Sequence, residues 1–560
     1  MRLDFIWFNK YKQLEDFQAN FGSEYFYAFN IIDDMWIVEK SDSYIEGFFY
    51  SKQNVSVSAI VGENGVGKST VLDFITDLFN KNLKNVNYFV AFDYKGTKII
   101  VQNIYKDVEK INIINKEYLA GNYVIYFDNN YSGTFPNVIF FSNVFDVRYL
   151  KKISTIENFP KKFSDISTNF LLGSNGNNIV EFLNLEFNKQ IYFIYDFIDE
   201  LEIMGILKKP EYIKLKIIEN EDYEYEDLLD DSTFNFDKKI FQWYFGFLSE
   251  QELKSITEVK REFIVKVLRQ YIYVLDKELD VFRKSYNTYI PPIPEIYDGT
   301  VFEMLDDVLK MFYLEVEYEE DDIFSFLPVI IQAYIFEVTA DEDVEECYAL
   351  TKSIINKITD ISNKAKRFIK KIIKLDILFL NGDLENSVEN IDNMYIKTTS
   401  IIKPFINLYE EIYINNNILN FSWTQLSSGE YSILSLFGRI YDTYKKIKNK
   451  SSDLDSILLL IDEGDLYFHP QWQKDWLYYF LEFINKIFEE DVQIIITTHS
   501  PLVLSDFPNS NVLFMGGDEN NGFQLEGSSR TLGANILELF ANSFFLKNGL
   551  VGRFGKNKIK

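Results

Sequence analysis

The 560-residue chain carries 57 Lys and Arg against 85 Asp and Glu, a formal net charge of −28, so it repels nucleic acid at long range and leaves any such contact to a local basic patch. One cysteine, Cys347, excludes a disulfide framework, and two histidines, His469 and His499, leave almost no ligands for zinc or a His-based metal nuclease. With 47% hydrophobic residues, a chain of this length is expected to build two or three globular cores.

Residues 1–11 mix aromatics with charges and hold no signal-peptide core. The longest nearly apolar run, residues 323–336, is interrupted by Ser325, Pro328 and Gln332, too short and too broken to span a bilayer. A cytoplasmic protein without a membrane segment is the expectation.

In chain order, residues 3–8 and 25–32 read as strands of an N-terminal sheet, joined through the charged Lys10-Tyr11-Lys12 turn region. Residues 55–61 alternate and then run apolar like a buried strand, and residues 71–79 carry apolar positions at helical spacing. Between them lies Gly62-Glu63-Asn64-Gly65-Val66-Gly67-Lys68-Ser69-Thr70, a G-x-x-x-x-G-K-S run in the strand-loop-helix context that makes it a P-loop. Glycines without Cβ let successive backbone N–H groups turn toward a polyphosphate. Lys68 adds a mobile positive charge, Ser69 a hydroxyl for Mg²⁺, and the following helix its positive dipole end. Short β runs at 88–92, 98–103 and 123–127 read as added hairpins, and residues 137–141 as a buried strand ending at Ser142-Asn143; by resemblance to ATPases of this general plan, Ser142 or Asn143 is expected to face the metal and the attacking water.

From about residue 150 to 417 the pattern changes to long, apolar-periodic, Lys- and Glu-rich segments that read as helices. Acidic runs at 219–231 and 315–322 match no calcium loop and read as solvated loops. In residues 352–376, Ile354, Ile358, Ile361, Ala365, Phe368, Ile372 and Leu375 keep helical spacing, while Lys357, Lys364, Arg367, Lys371 and Lys374 share another face. Such a stripe either tracks a phosphate backbone or is a solvated face balancing nearby acids. A weaker basic helix is read at 254–269, and no internal repeat or long heptad run is found.

The last part of the chain supplies the remaining chemistry. Leu426-Ser427-Ser428-Gly429-Glu430 opens a helical segment through Tyr444. It is followed by Ile457-Leu458-Leu459-Leu460-Ile461-Asp462-Glu463, an apolar strand ending in two acids, and by a strand at 493–498 leading to His499. Asp462 is placed to hold Mg²⁺, Glu463 to orient and deprotonate the attacking water, and His499 to sense the γ-phosphate.

These four motifs resemble those of the ABC-class ATPases, in the branch of SMC, RecF and overcoming-lysogenization-defect proteins, and the stand-alone AAA-type ATPases of bacterial anti-phage systems (Septu-like). The 357 positions separating Ser69 from Leu426 fit that branch better than the energy subunit of a transporter. A small-molecule P-loop kinase has no use for the LSSGE run or for Glu463.

The resemblance implies an α/β P-loop NTPase head of ABC type, a mixed sheet flanked by helices in two lobes, with a large, mostly helical insertion. Residues 1–150 and 418–560 would form the head and 151–417 the insertion. It further implies ATP and Mg²⁺ as cofactors, and a homodimer or higher oligomer in which Ser427, Ser428 and Gly429 close the site of the partner. Lys68, Glu463 and His499 would be catalytic, and Ser69 and Asp462 the metal ligands.

The function it implies is ATP hydrolysis coupled to sensing or clamping DNA and to control of a separately encoded effector such as a nuclease, in antiviral defence. A repair or chromosome-maintenance clamp is the alternative. The Asp462-to-Pro470 run resembles a D-E-P-E-x-x-x-H-P form with Gly464 in place of proline, which is expected to loosen the loop; His469 is read as loop structure. The tail at 531–552 is similar to the end segment of such ATPases, and the 61 residues after His499 are expected to hold no nuclease domain.

Overall fold

The computed structural model describes residues 1–49, 55–106, 111–119, 122–128, 131, 135–145, 162–174, 178–203, 209–217, 248–254, scattered positions from 256 to 284, 322–339, 344–375, 377–379, 394–400, 402–413, 419–424, 426–450, 454–516, 530–542 and 554. Two units emerge from the chain. One comprises residues 1–182, 192–208 and 426–560, the other 183–191 and 209–425.

The first unit begins with β1 (Arg2–Tyr11), β2 (Leu14–Asn20), β3 (Tyr25–Asn30) and β4 (Met35–Lys40). Then come β5 (Val55–Gly62), α1 (Lys68–Phe79), β6 (Tyr88–Tyr94), β7 (Thr97–Gln102), β8 (Asn112–Ile114), β9 (Tyr123–Phe127), β10 (Asn137–Ser142), β11 (Phe163–Asp165) and α2 (Thr168–Ser174). The helix α3 (Ile179–Ile203) contributes residues to both units.

In β1 the period-2 rule sends Ile6 and Phe8 to one face and Phe5 and Trp7 to the other, and all four are buried. The strand is covered on both sides, which explains why it reads as almost continuously apolar. Ile6 and Phe8 join a core with Phe74 and Ile75 of α1 and with Leu458, Leu460 and Ile495. Phe5 and Trp7 join an aromatic core with Tyr27, Phe29, Trp36 and Phe89.

The two N-terminal strands expected in one sheet therefore lie in two. β1 belongs to a five-stranded sheet of order β2-β1-β6-β7-β9, and β3 to a three-stranded sheet of order β3-β4-β8. The step missed by pattern was β2, whose exposed Glu15 and Asp16 interrupt the apolar alternation. One buried cluster ties the layer together. Asp4, fully buried, accepts from Arg2 Nε at 2.8 Å and from Lys98 Nζ at 2.7 Å, and Lys98 also reaches Asp93 at 2.6 Å.

The second unit carries β12 (Tyr212–Ile217), α4 (Ile323–Thr339), α5 (Val344–Lys374), β13 (Ile377–Phe379), β14 (Met394–Lys397), α6 (Ile402–Tyr413) and β15 (Leu419–Trp423). Its strands form an antiparallel sheet of order β13-β14-β12-β15, each pairing antiparallel. An insertion read as helical throughout thus contains a sheet, built from runs of three to six residues that are too short to show a period. The apolar positions of α5 singled out by spacing, Ile354 through Leu375, are all buried. Phe368 stacks on Phe405 of α6 at 4.7 Å, and Ser362 meets Tyr271 at 2.6 Å. The acidic runs at 219–231 and 315–321, and most of the basic segment at 254–269, lie outside the described residues.

The chain returns to the first unit with α7 (Ser428–Lys450), β16 (Ser456–Asp462), α8 (Pro470–Ile487), β17 (Asp491–Thr497), α9 (Pro501–Leu504), β18 (Val512–Met515) and α10 (Ile536–Asn542). These strands complete a six-stranded sheet of order β11-β10-β16-β17-β5-β18, parallel at every pairing. Such sheets are buried on both faces, which is why residues 457–461 and 494–496 read as unbroken apolar runs. No helix among the described residues is long and apolar enough to cross a membrane.

Candidate active site

A parallel sheet brings the carboxyl ends of all its strands to one edge, where ligands of α/β folds gather. Register does the rest. Ser142 pairs with Asp462, Asp462 with Thr497, and Thr497 with Ile60, two residues before Gly62. The polar ends of three strands and the P-loop therefore stand in one row.

At the end of β5 the chain turns through residues 62–67 and α1 begins at Lys68, with Gly67 as its N-cap at φ 104°. That conformation favours glycine, and a Cβ there would also press on Leu14 at 3.0 Å. Lys68 is largely buried and its ammonium donates to the carbonyls of Gly62 at 3.1 Å and Glu63 at 2.9 Å. Burial lowers its pKa, while Glu463 and Asp462 act in the opposite sense. Asn64, Gly65 and Ser69 are exposed, Glu63 and Val66 half-buried, and Thr70 is buried. Thr70 accepts from Gln13 Nε2 at 2.6 Å, which seats the β1–β2 turn beside the start of α1.

Ser69 Oγ lies 3.2 and 3.1 Å from the two carboxylate oxygens of Asp462. Two oxygen ligands on adjacent corners of a Mg²⁺ octahedron with bonds of about 2.0–2.1 Å stand about 3 Å apart, so this hydroxyl and carboxylate fit that ion. Among the described residues no group of three or more His, Cys, Asp or Glu is placed to hold a metal; a Mg²⁺ shared with a polyphosphate needs only one or two carboxylates. Burial pushes the Asp462 carboxyl up, and the hydrogen bond from Thr497 opposes it. Thr497 Oγ1 donates to Asp462 at 2.6 Å and accepts the Glu463 N–H at 3.0 Å.

Glu463 has φ 50°, in the left-handed region, where a residue other than glycine is strained. The freedom expected of Gly464 belongs instead to its neighbour: Gly464 has no positive φ, and a Cβ on it would meet Ile461 Cγ2 at 2.6 Å. The turn aims the Glu463 side chain at His499, whose Nε2 stands 3.5 Å from Glu463 Oε1. His499 holds the Glu463 carboxyl below its ordinary value, with Lys68 acting in the same direction and burial opposing them. An ionised carboxylate beside an imidazole is a pair suited to take and relay a proton.

Ser427, Ser428 and Gly429 open α7. Ser427 Oγ accepts the Glu430 N–H at 3.3 Å while Glu430 accepts the Ser427 N–H at 2.8 Å, the reciprocal capping box that explains the S-x-x-E spacing. Gly429 is buried, and a Cβ on it would meet Trp472 at 2.6 Å. Ser427 and Ser428 are exposed, and Tyr431, Leu466 and Tyr467 are exposed large apolar side chains. Asn143 donates to Ser432 Oγ of α7 at 2.8 Å, whereas Ser142 Oγ accepts the Val144 N–H at 3.2 Å. His469 N-caps α8 through Nδ1, accepting from the Gln471 N–H.

Pattern reading missed Gln13, Thr497 and the Thr498–Asp465 pair, in which Thr498 Oγ1 donates to the buried Asp465 at 2.8 Å. The two threonines are visible as a polar end to an apolar strand. Gln13 gave no signal, because its contact spans 57 positions.

A sequence profile described as "AAA domain, putative AbiEii toxin, Type IV TA system" matches residues 170–505. That stretch holds Leu426–Glu430, Asp462, Glu463 and His499, and begins after the P-loop. The chain is similar to "Retron Ec83 probable ATPase" of Escherichia coli, 31% identical over 136 residues, 24% of this chain and 23% of that protein. It is also similar to "Septu protein PtuA" of Bacillus mycoides, 25% identical over 169 residues, 30% and 22% of the two chains. To "Retron Vc95 probable ATPase" of Vibrio cholerae it is 21% identical over 273 residues, 46% and 47% of the two chains. The similarity spans less than half the length of each of these relatives.

Proposed function

The chain belongs to the AAA-domain family described as putative AbiEii toxin of type IV toxin–antitoxin systems, and on that premise we propose that it is a Mg²⁺-dependent ATPase of anti-phage defence. The observation that carries this reading is the row Ser69–Asp462–Thr497–Glu463–His499 at one edge of the parallel sheet. Residues 62–70 cradle the phosphates with backbone N–H groups, and Lys68 exchanges its two carbonyl partners for phosphate oxygens. Ser69 and Asp462 would hold Mg²⁺, which would supply charge neutralisation on the polyphosphate. Glu463 takes the proton of the attacking water, and His499 orients that carboxylate and contacts the γ-phosphate.

The site is closed in trans in a homodimer or higher oligomer by Ser427, Ser428 and Gly429 of a second copy. The exposed Tyr431, Leu466 and Tyr467 beside this helix start support the reading, because clustered apolar exposure suits a partner surface. Asn143, bonded to the same helix, couples the sheet edge to it. The retron and Septu names of the relatives support a role in defence, with ATP-driven engagement sensing or clamping DNA and controlling a separately encoded effector such as a nuclease.

Steady-state ATP hydrolysis, measured with and without duplex DNA, tests the reading, with molecular mass by light scattering followed in parallel. The expected result is hydrolysis that Glu463→Gln suppresses while ATP still raises the mass of that variant to at least a dimer. Hydrolysis by Glu463→Gln at the wild-type rate would overturn the assignment of the base, and a mass unaffected by ATP would overturn closure in trans.

A further inference from the structure

The basic stripe on α5 is not uniform. In its upper half Lys357 pairs with Glu278 at 2.5 Å, and Lys364 with Asp360 at 2.7 Å and Glu411 at 3.7 Å. These cations are already neutralised, as a solvated face would be. In the last two turns Arg367, Lys370, Lys371 and Lys374 make no ion pair within the described residues; Arg367 Nε only leans on the Asn363 carbonyl of its own helix at 3.4 Å. Glu252 feels Lys370 and Lys374, but its carboxylate is engaged by the Ser249 N–H at 3.0 Å and hydroxyl at 2.9 Å.

All four cations line one cleft of about 490 Å³, whose other wall is α6 with Pro404 and Leu408. The helix dipole accounts for Lys371 and Lys374 in the last turn but not for Arg367 and Lys370, since that effect fades within a turn. On a chain of net charge −28, four cations inside eight residues, with no ion pair among the described residues and Glu252 as the acid that acts on two of them, make a local reversal of potential.

We infer that this cleft is a docking site for the phosphate backbone of duplex nucleic acid, with Arg367, Lys370, Lys371 and Lys374 as its contacts. The inference rests on the nucleic-acid part of the function proposed above and locates it. The four residues fall at i, i+3, i+4 and i+7, one helix face about 10 Å long. A B-form strand advances about 3.4 Å along the duplex axis per phosphate, and the row is long enough to meet a short run of neighbouring phosphates on one strand. Asn407 also lines the cleft, beside Pro404 and Leu408, but three of its four cations are lysines, point charges for phosphate, and backbone contacts carry no sequence information. Binding is therefore insensitive to sequence and steep in salt.

The test is fluorescence anisotropy of a labelled duplex of about 20 base pairs on the full chain, between about 50 and about 200 mM salt. Replacing all four cations with Gln is expected to weaken binding at least about tenfold at low salt and to flatten the log–log salt slope by about three. The variant Lys357→Gln/Lys364→Gln, which removes paired cations, is expected to keep the wild-type slope. Binding of a fluorescent ATP analogue by both variants reports that the nucleotide site is intact.

Duplex binding by the fourfold variant with wild-type affinity and slope overturns the cleft and leaves the ATPase reading and its DNA response standing. Absence of duplex binding by the wild-type chain overturns the cleft together with the nucleic-acid part of that reading, hydrolysis being untouched. Binding of poly-glutamate in preference to duplex overturns it in favour of an acidic protein partner.

Discussion

The nucleotide edge of the first unit and the basic cleft of the second are both places where charge gathers, and they are built by opposite means. At the sheet edge each charged residue is held by specific partners: Asp462 by Ser69 and Thr497, Glu463 through its backbone N–H by Thr497 with His499 3.5 Å from its carboxylate, Lys68 by two carbonyls. In the cleft Arg367, Lys370, Lys371 and Lys374 stand on a rigid helix but are otherwise unpaired within the described residues. Chemistry requires atoms held to fractions of an ångström, whereas attraction to a polyanion requires only charge at roughly the right spacing. Single substitutions should therefore be severe in the first region and graded in the second.

The largest effect is expected at Lys68. Lys68→Ala removes the only mobile cation of the loop and should reduce affinity for ATP by about a hundredfold or more, the cost of deleting a charge-assisted contact in a buried site; titration calorimetry checks it. Glu463→Gln should lower the hydrolysis rate by about 10²–10⁴-fold, the usual worth of a general base, with ATP affinity retained. Rapid-quench measurement of phosphate release separates the two, and loss of binding in Glu463→Gln would mean that the residue positions nucleotide rather than water.

A third substitution removes a charge from a place with no part in the chemistry. Lys98→Met leaves Asp4 buried with only Arg2 and should cost about 3–5 kcal/mol of stability, visible as a lowered denaturant midpoint with nucleotide affinity unchanged where the fold persists. Thr497→Val sharpens the comparison further. It keeps the shape of the side chain and removes the bonds that Thr497 itself makes to Asp462 and Glu463, so hydrolysis should fall about tenfold to a hundredfold, with a stability cost of about 1–3 kcal/mol for the buried groups left unpaired.

The smallest effect is expected at Asp506, whose carboxyl is pushed up to about 6 by burial and by Asp475, with Lys474 opposing. Its folded value lies above its unfolded one, so the fold favours the protonated acid and loses stability as pH rises through about 4 to 6. Asp506→Asn should therefore raise the melting temperature at pH about 8 and change nothing at pH about 4. A gain of equal size at both pH values would show that the effect is not ionic.

The P-loop, the LSSGE run, the acid pair and His499 were legible because each packs several chemical demands into a few adjacent residues. Gly67 must take a positive φ, Ser427 and Glu430 must cap each other, and Asp462 must end an apolar strand. The apolar face of α5 was legible for a different reason: 31 residues of one helix repeat the period often enough to fix it. Short strands of the second unit were not, since Ile377–Phe379 and Met394–Lys397 hold barely one repeat each.

Sequence by itself picked out the side chains proposed for phosphate, metal and proton chemistry, because those demands are local and survive without the fold. Only the tertiary structure decided their alignment. Parallel register sets Ser142, Asp462 and Thr497 abreast. The left-handed turn falls on Glu463 rather than Gly464. Half of a basic stripe is spent on Glu278, Asp360 and Glu411 while the other half stays available in a cleft. The physical reason is the same in each case: pairing, register and burial depend on residues tens to hundreds of positions away, and no window of sequence contains both partners.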